Sequence, residues 1–559
     1  MVPSKSIYMR YRNCSALLLY GFVTLIILGP LLVPGYILTL DMPWVPHPPI
    51  PPISNNTFFL QAALAGLSSI IPGWLVQKII LGGIIWLSGY GAHRLNLAFQ
   101  RYTLSQHKPL LIAAYFSGLW YMINPFTYGR FMDGQWLVLA GYALLPWFTL
   151  AAAQFFAKPT MRRLSILLLW VLTITWSSLH SIAIAALLGS VLFAYALYRN
   201  RHQRNKLHLL LRWTGGFMVL AIVCNILWLV PYICGTSAPA ATASGFDQRH
   251  DLSFRTVGHD WLPPAINVLT LHGYWGETQH RFLLDQNIVP LWPLFTICLL
   301  VVVAFGFLTL WRKNRALALN AGALLALTWL FALGTSTAFS APMNQFMQDT
   351  VPFFAGYREP HKFTALLALA YSALGGLGAA VLLTNITKRF QSFRLTASFM
   401  LLALPLIATP LLLWGGFGQL RAVQYPAGWY QVKAYLENQP SQVKTLVLPW
   451  HLYTGLDFAG RTVASPAKRF LGGDVLQSRD LEIGLMPPDY LDKEEVIIQQ
   501  YVIKPSDPSQ IAAKLRQIGV DYIFLAKTAD WEAYRHLRSA PGLTKAQETQ
   551  STILYKVLP

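Results

Sequence analysis

Six short basic stretches beside long apolar runs together hold twenty Lys or Arg and not one Asp or Glu. They are residues 1–13 (Lys5, Arg10, Arg12), 93–108 (Arg94, Arg101, Lys108), 157–163 (Lys158, Arg162, Arg163), 199–212 (Arg199, Arg201, Arg204, Lys206, Arg212), 312–315 (Arg312, Lys313, Arg315) and 387–394 (Lys388, Arg389, Arg394). Basic residues near the ends of membrane spans stay on the cytoplasmic side, so this asymmetry predicts a polytopic chain with these six stretches inside. The formal charge of +20 is then an orientation signal and predicts no nucleic-acid partner.

Hydropathy agrees, because a chain with 54% hydrophobic and 12% charged residues is too apolar for a soluble globule. A helix needs about 20 mostly apolar residues to cross a bilayer. Eleven stretches qualify as candidates: 16–38, 74–92, 110–123, 136–156, 164–176, 182–198, 213–233, 289–311, 316–333, 363–383 and 395–414. The third and fifth are short, but removing either one alone would place the later basic stretches outside. The first run is long and lacks a small-residue cleavage site, so it is expected to be a retained anchor. Trp44, Trp74, Trp136, Trp147, Trp311 and Trp414 near span ends suit the interfacial belts. Cys14, Cys224, Cys234 and Cys298 show no metal-ligand spacing.

Eleven spans starting inside put the C-terminus outside. Residues 416–559 hold fourteen of the 23 acids and alternate helical and strand-like stretches. Residues 429–438 read as a helix and 444–448 (KTLVL) as a buried strand. An amphipathic helix is expected over 509–518, stopping at Gly519, followed by a strand over 522–525. Asp530 is expected to cap a helix running to His536, and residues 552–557 form a last strand. The fold class is therefore an all-α polytopic membrane bundle (1–415) with a C-terminal extracytoplasmic α/β domain (416–559). The first external segment opens with DMPWVPHPPIPP, which cannot be helical. It continues into NTFFLQAALAGLSSII, a short apolar helix expected to lie at the outer leaflet. Asn55-Asn56-Thr57 matches a glycosylation sequon, a pattern short enough for chance.

The nine acids before residue 416 are Asp41, Asp133, Asp247, Asp251, Asp260, Glu277, Asp285, Asp349 and Glu359. All fall in segments expected to be external and none at mid-span, whereas an ion-coupled transporter keeps ionisable groups near the bilayer midplane. Asp41 directly follows the first span, where a carboxylate can serve as general base or simply end an apolar helix. Tyr357-Arg358-Glu359-Pro360-His361-Lys362 leads into the tenth span and combines a helix start with three basic side chains, a candidate phosphate cradle. Snorkelling of the same side chains is the plainer alternative. Arg130, Asp133 and Gln135 gather in the turn between the third and fourth spans, while Tyr274 and Trp275 offer rings for a sugar. Lys78 sits near the outer end of the second span.

NPFTYGRFMDGQWLVLAGYALLPW, INVLTLHGYW and GYREPHKF, in that order behind an acid after span one, resemble membrane glycosyltransferases of the GT-C superfamily. The resemblance is to the arabinofuranosyltransferase D-like and YfhO-like branch, and VLPWHLY with residues 519–527 extends it loosely into the tail. It implies an outer-leaflet donor, a sugar on polyprenyl phosphate, and a hydroxyl acceptor on a glycan, lipid or protein. Asp41 would be the general base of an inverting displacement. Arg358 and Lys362 would hold the departing phosphate, assisted by His361, Arg130 or Lys78. Asp133, Gln135, Glu359, Tyr274 and Trp275 would line the acceptor side. A monophosphate leaving group needs no metal or other cofactor, though a divalent ion is compatible with it. The carbohydrate-binding modules of larger arabinofuranosyltransferases have no match here, so no particular sugar is implied. A lipid-linked glycan transporter and a non-catalytic envelope scaffold are the alternatives.

Overall fold

The computed structural model describes residues 5–104, 110–237, 240, 248–351, 354–481 and 492–559. Lys108 and Asp247 lie outside them. The chain divides into two compact units. The first comprises residues 1–30, 51–60 and 79–420, the second 31–50, 61–78 and 421–559. The expected boundary after residue 415 thus falls close to Leu420, and the second unit also takes in two segments from the N-terminal region.

The first unit is a helical bundle. Its helices are α1 (Lys5–Leu28), α2 (Phe58–Ser68), α3 (Gly73–Thr103), α4 (Leu111–Met122), α5 (Pro125–Met132), α6 (Trp136–Ala157), α7 (Met161–Ser177), α8 (Leu179–Asn200) and α9 (Arg204–Ile233). They are followed by α10 (Trp292–Lys313), α11 (Arg315–Leu333), α12 (Thr364–Arg389) and α13 (Arg394–Ala408). The end of α2 and the start of α3 are counted in the second unit. Among the described residues nine helices are long and apolar enough to cross a membrane. The chain is a multi-pass membrane protein. All eleven expected spans are helical, but α4 and α7 have only 12 and 17 residues. At 1.5 Å per residue, α4 is about 18 Å long, well short of a bilayer core.

Two expected spans are too long at their C-terminal ends. The first stops at Leu28, because Pro30 and Pro34 lack the N–H that a continuing helix requires, and Tyr36–Ile37 is extended instead. The last stops at Ala408 before Pro410, and Trp414 to Gly416 take positive φ of 55° to 67°. The eight described acids before residue 416 all lie outside the nine candidate spans.

The bundle core runs along α12, whose residues are buried almost continuously from Thr364 to Ala380. Glycines let α10 and α12 meet backbone to backbone. A Cβ on Gly306 would strike the carbonyl oxygen of Leu374, and one on Gly378 that of Val302. Close approach through small residues is how helices associate in a lipid medium without a hydrophobic driving force. Gly306→Ala should therefore lower the thermal unfolding midpoint in detergent, by about 1–3 kcal/mol of overpacking. A midpoint equal to wild type would show that the two helices can separate without loss.

The second unit is α/β. Its main sheet has the order β6-β3-β7-β9-β8, built from β3 (Lys444–Leu448), β6 (Asp474–Leu476), β7 (Tyr522–Ala526), β8 (Leu543–Glu548) and β9 (Thr552–Val557). β3 is parallel to β6 and β7, and β9 is antiparallel to β7 and β8. Strand β4 (Tyr453–Leu456) pairs with β5 (Arg461–Ala464) in a hairpin, and β1 (Tyr36–Ile37) pairs with β2 (Ala422–Val423). Helix α14 (Ala427–Glu437) packs on the sheet through Trp429, which lies edge-to-face on Phe524. The helix over residues 511–517 ends before Gly519, which has φ of +73°. The helical turns from Trp531 to Arg538 form as expected, but Asp530 does not cap them. Its carboxylate is drawn 3.2 Å from His451 Nε2, a stronger partner than a backbone amide.

Candidate active site

In the first unit, Asn124 starts the site by ending α4 and capping α5. Its Oδ1 accepts from the Thr127 amide while the Thr127 hydroxyl accepts from the Asn124 amide, a reciprocal capping box. The single turn pair of α5 then carries Arg130 inward, and Gly134, with φ of +74°, reverses the chain into α6 with Gln135 at the junction.

Arg130 is fully buried. One terminal nitrogen lies 2.8 Å from Glu359 Oε2 and 2.5 Å from Gln135 Oε1. The other lies 3.0 Å from His361 Nδ1. Since guanidinium only donates, His361 Nδ1 accepts, which puts its ring proton on Nε2, where it donates to the His272 carbonyl at 3.0 Å. The Tyr274 ring covers the guanidinium at 4.1 Å. Lys362 Nζ reaches the other Glu359 oxygen at 3.1 Å and His180 Nε2 at 3.3 Å. Two cations surround one carboxylate, so the cluster carries an excess positive charge. Burial alone pushes the Glu359 carboxyl up, but Lys362, Arg130 and Arg358 outweigh it and hold the group well below its usual range.

Tyr274 links this cluster to a second one. Its hydroxyl donates to Asp133 Oδ2 at 2.7 Å, and Arg281 grips Asp133 through Nε at 3.3 Å and a terminal nitrogen at 2.7 Å. Arg281 also lies 5.0 Å over the Trp275 ring, Trp275 packs edge-on against Phe254, and Arg358 lies 4.5 Å over Phe254. Arg130, Asp133, Gln135, Tyr274, Trp275, Arg358, Glu359, His361 and Lys362 are thus brought together from segments up to 232 positions apart. Arg281 and His180 complete the constellation. Arg281 carried a sequence signal, a basic side chain in an external segment, whereas His180 carried little, opening α8 beside two serines.

Two buried acids stand nearby. The Glu277 carboxylate accepts from the Gly273 amide at 2.9 Å, and burial pushes its carboxyl up to about 7. Asp285 accepts from the Leu411 amide at 3.3 Å with its second oxygen unpartnered, and burial pushes it up to about 8. An acid raised in the folded state favours folding below its ordinary pKa, and that contribution is lost as pH rises toward the folded value. The unfolding midpoint should therefore fall between pH 5 and pH 8. Asp285→Asn should flatten that fall, gaining on wild type steadily across the interval. Parallel pH curves for the two proteins would contradict the assignment.

Asp41 and Lys78 lie in the second unit. Met42 N bonds to Thr39 O at 3.0 Å and closes a tight turn that presents Asp41 half-buried. Its Oδ1 accepts from the Tyr453 hydroxyl at 3.1 Å. The Ala464 amide donates to Leu40 O at 2.8 Å, so the β4–β5 hairpin holds the turn from both sides. The Gln77 side chain bonds both N and O of Ile37, at 2.9 and 2.7 Å, pairing with it like a strand. Lys78 is buried, donates to the Val33 carbonyl and lies 4.8 Å over Trp74. That placement gives Lys78 a structural task in fixing the chain after α1. Tyr453 had no sequence signal, being 412 positions from Asp41. Among the described residues no three His, Cys, Asp or Glu side chains form a metal-binding group.

Comparison with solved structures decides the fold. Cryo-EM structures of the arabinofuranosyltransferase AftD from mycobacteria match 98% of this chain at 14% identity and a TM-score of 0.63. Structures of a mutant of that protein in two classes match at 15% and 16% identity, with TM-scores of 0.62 and 0.55. The chain has the AftD fold. It spans about two fifths of the length of those proteins, 40% to 42%. No family model matches the sequence, and no curated protein does. The AftD-like bundle therefore carries the Arg130–Glu359–Lys362 cluster, and the α/β unit carries Asp41.

Proposed function

We propose that this chain is a membrane glycosyltransferase that moves a sugar from polyprenyl phosphate to a hydroxyl of an extracytoplasmic glycan, lipid or protein. The observation that carries the reading is the likeness of fold to an arabinofuranosyltransferase over nearly the whole chain. The six basic stretches support a cytoplasmic N-terminus and an extracytoplasmic C-terminal unit, and the resemblance to envelope glycosyltransferases supports a plasma membrane. In the proposed reaction the acceptor oxygen attacks the anomeric carbon and the bond from that carbon to the phosphate oxygen breaks. The acceptor proton passes to Asp41, and polyprenyl phosphate leaves with the bonding pair, inverting the centre. Asp41 suits the role because it is half-exposed and aimed by Tyr453. Arg358, with the excess positive charge of the Arg130–Glu359–Lys362 cluster, would stabilise the departing phosphate. His361 keeps Arg130 oriented, and Asp133, Gln135, Tyr274 and Trp275 form the polar and aromatic wall beside it. No metal is needed for a monophosphate leaving group.

The test is release of polyprenyl phosphate from a panel of synthetic polyprenyl-phospho-sugars by purified protein supplied with acceptor-containing membrane extract. Release that depends on the sugar and vanishes in Asp41→Asn supports the reading. No release by wild-type protein from any donor would move the assignment to a transporter or scaffold.

A further inference from the structure

His180 sits half-buried at the start of α8, and its ring faces two groups that make opposite demands on one nitrogen. Nε2 lies 3.0 Å from the Gly356 carbonyl oxygen and 3.3 Å from Lys362 Nζ. A carbonyl only accepts, so the first contact is a hydrogen bond when Nε2 carries the ring proton. The Lys362 ammonium, paired with Glu359 at 3.1 Å, only donates, so the second is a hydrogen bond when Nε2 is bare. A neutral imidazole has a single N–H and meets one demand at a time. Nδ1 accommodates either choice, because the Ser178 hydroxyl 3.4 Å away can donate to it or accept from it.

The two partners belong to different parts of the proposed phosphate cradle. Gly356 lies in the helical turn Phe354–Tyr357, directly ahead of Arg358. That turn rests on the start of α8 by two further contacts. The Tyr357 hydroxyl donates to the Leu179 carbonyl at 3.1 Å, and the Tyr357 ring stands edge-on to His180 at 5.2 Å. Lys362 lies beyond Glu359, buried in the Arg130 cluster. With the proton on Nε2, His180 ties the turn ahead of Arg358 to α8 and points a donor at Lys362. With the proton on Nδ1, it holds Lys362 and leaves the Gly356 carbonyl without that donor. A phosphate oxygen carries charge and is a stronger acceptor for an ammonium than a neutral ring nitrogen. Drawing Lys362 off Nε2 therefore favours the tautomer that fastens the turn.

We propose that His180 is a positioning residue, a tautomeric switch that fastens the Gly356–Arg358 turn when an anion takes up Lys362. The identity of that anion as a lipid phosphate rests on the glycosyltransferase reading of the site, whereas the switch itself stands on the ring geometry. It is tested by hydrogen–deuterium exchange of residues 354–359 in the full chain in lipid nanodiscs, with farnesyl phosphate as the probe. Lys362→Met removes the competitor for Nε2, so exchange in this turn should slow about fivefold without any ligand, the scale of coupling within one hydrogen-bond network. Loss of a buried side chain ordinarily loosens its neighbours, so the sign separates the switch from a merely structural contact. Farnesyl phosphate should slow the turn similarly in wild type and add nothing in Lys362→Met. In His180→Gln, whose amide offers a donor and an acceptor at once, neither change should occur. Exchange in Lys362→Met equal to or faster than in wild type would overturn the proposal, and so would a ligand effect that persists in His180→Gln. Slowing in Lys362→Met with no binding of farnesyl phosphate would leave the switch standing and remove the phosphate reading.

Discussion

Replacing Glu359 with glutamine is expected to cost about 3–5 kcal/mol of stability, the usual penalty for leaving a buried ion without its partner. The carboxylate is 7% exposed and pairs with both Arg130, at 0%, and Lys362, at 7%. An amide of the same shape keeps the hydrogen-bonding outline but leaves two cations facing each other where water cannot screen them. Lys362→Met should cost less, because the Arg130–Glu359 pair survives it intact. Thermal unfolding in detergent, together with the monodisperse fraction, distinguishes the two. An order reversed between these variants, or a Glu359→Gln protein within about 0.5 kcal/mol of wild type, would show that the cluster is not held by its charge balance.

The second large effect is on turnover. Asp41→Asn should lower sugar-dependent polyprenyl-phosphate release by about 10²–10⁴-fold, the range for a general base, while the protein stays folded because Asn can still accept from Tyr453. Tyr453→Phe separates positioning from chemistry. Without that donor the ionised carboxylate is less favoured, so the acid limb of the pH–rate profile should move to higher pH, with a smaller loss of rate at alkaline pH. A Tyr453→Phe profile superimposable on wild type would mean that the hydrogen bond has no part in setting the base.

Much of the fold was readable because each piece announces itself locally. Apolar runs of span length with basic flanks need no partner to be recognised, and every one of the eleven is helical. In the α/β unit, β3, β7 and β9 are almost wholly buried apolar runs and stood out accordingly. Strands β6 and β8 did not, because they form the sheet edges and read as DVL and LTKAQE, polar enough to pass for loop. Helix ends were less legible. The Gly-Pro pair after α1 and Pro410 after α13 decide where hydrogen bonding stops, and hydropathy continues past both.

The candidate site divides in the same way. The polar clusters around Arg130 and Glu359 were visible as charged residues in external segments of an apolar chain. Sequence determined the residue types, their segregation from the spans and the helical character of the bundle, since these follow from transfer free energy and backbone hydrogen bonding within one segment. Only the tertiary structure decided that Arg130 and Lys362 share one carboxylate, that Arg281 closes on Asp133 and that Tyr453 meets Asp41. The Arg130–Glu359, Arg281–Asp133 and Tyr453–Asp41 pairings join positions 148 to 412 residues apart, and what selects them is the packing that brings each buried polar group within reach of a partner, not anything encoded in the neighbouring residues.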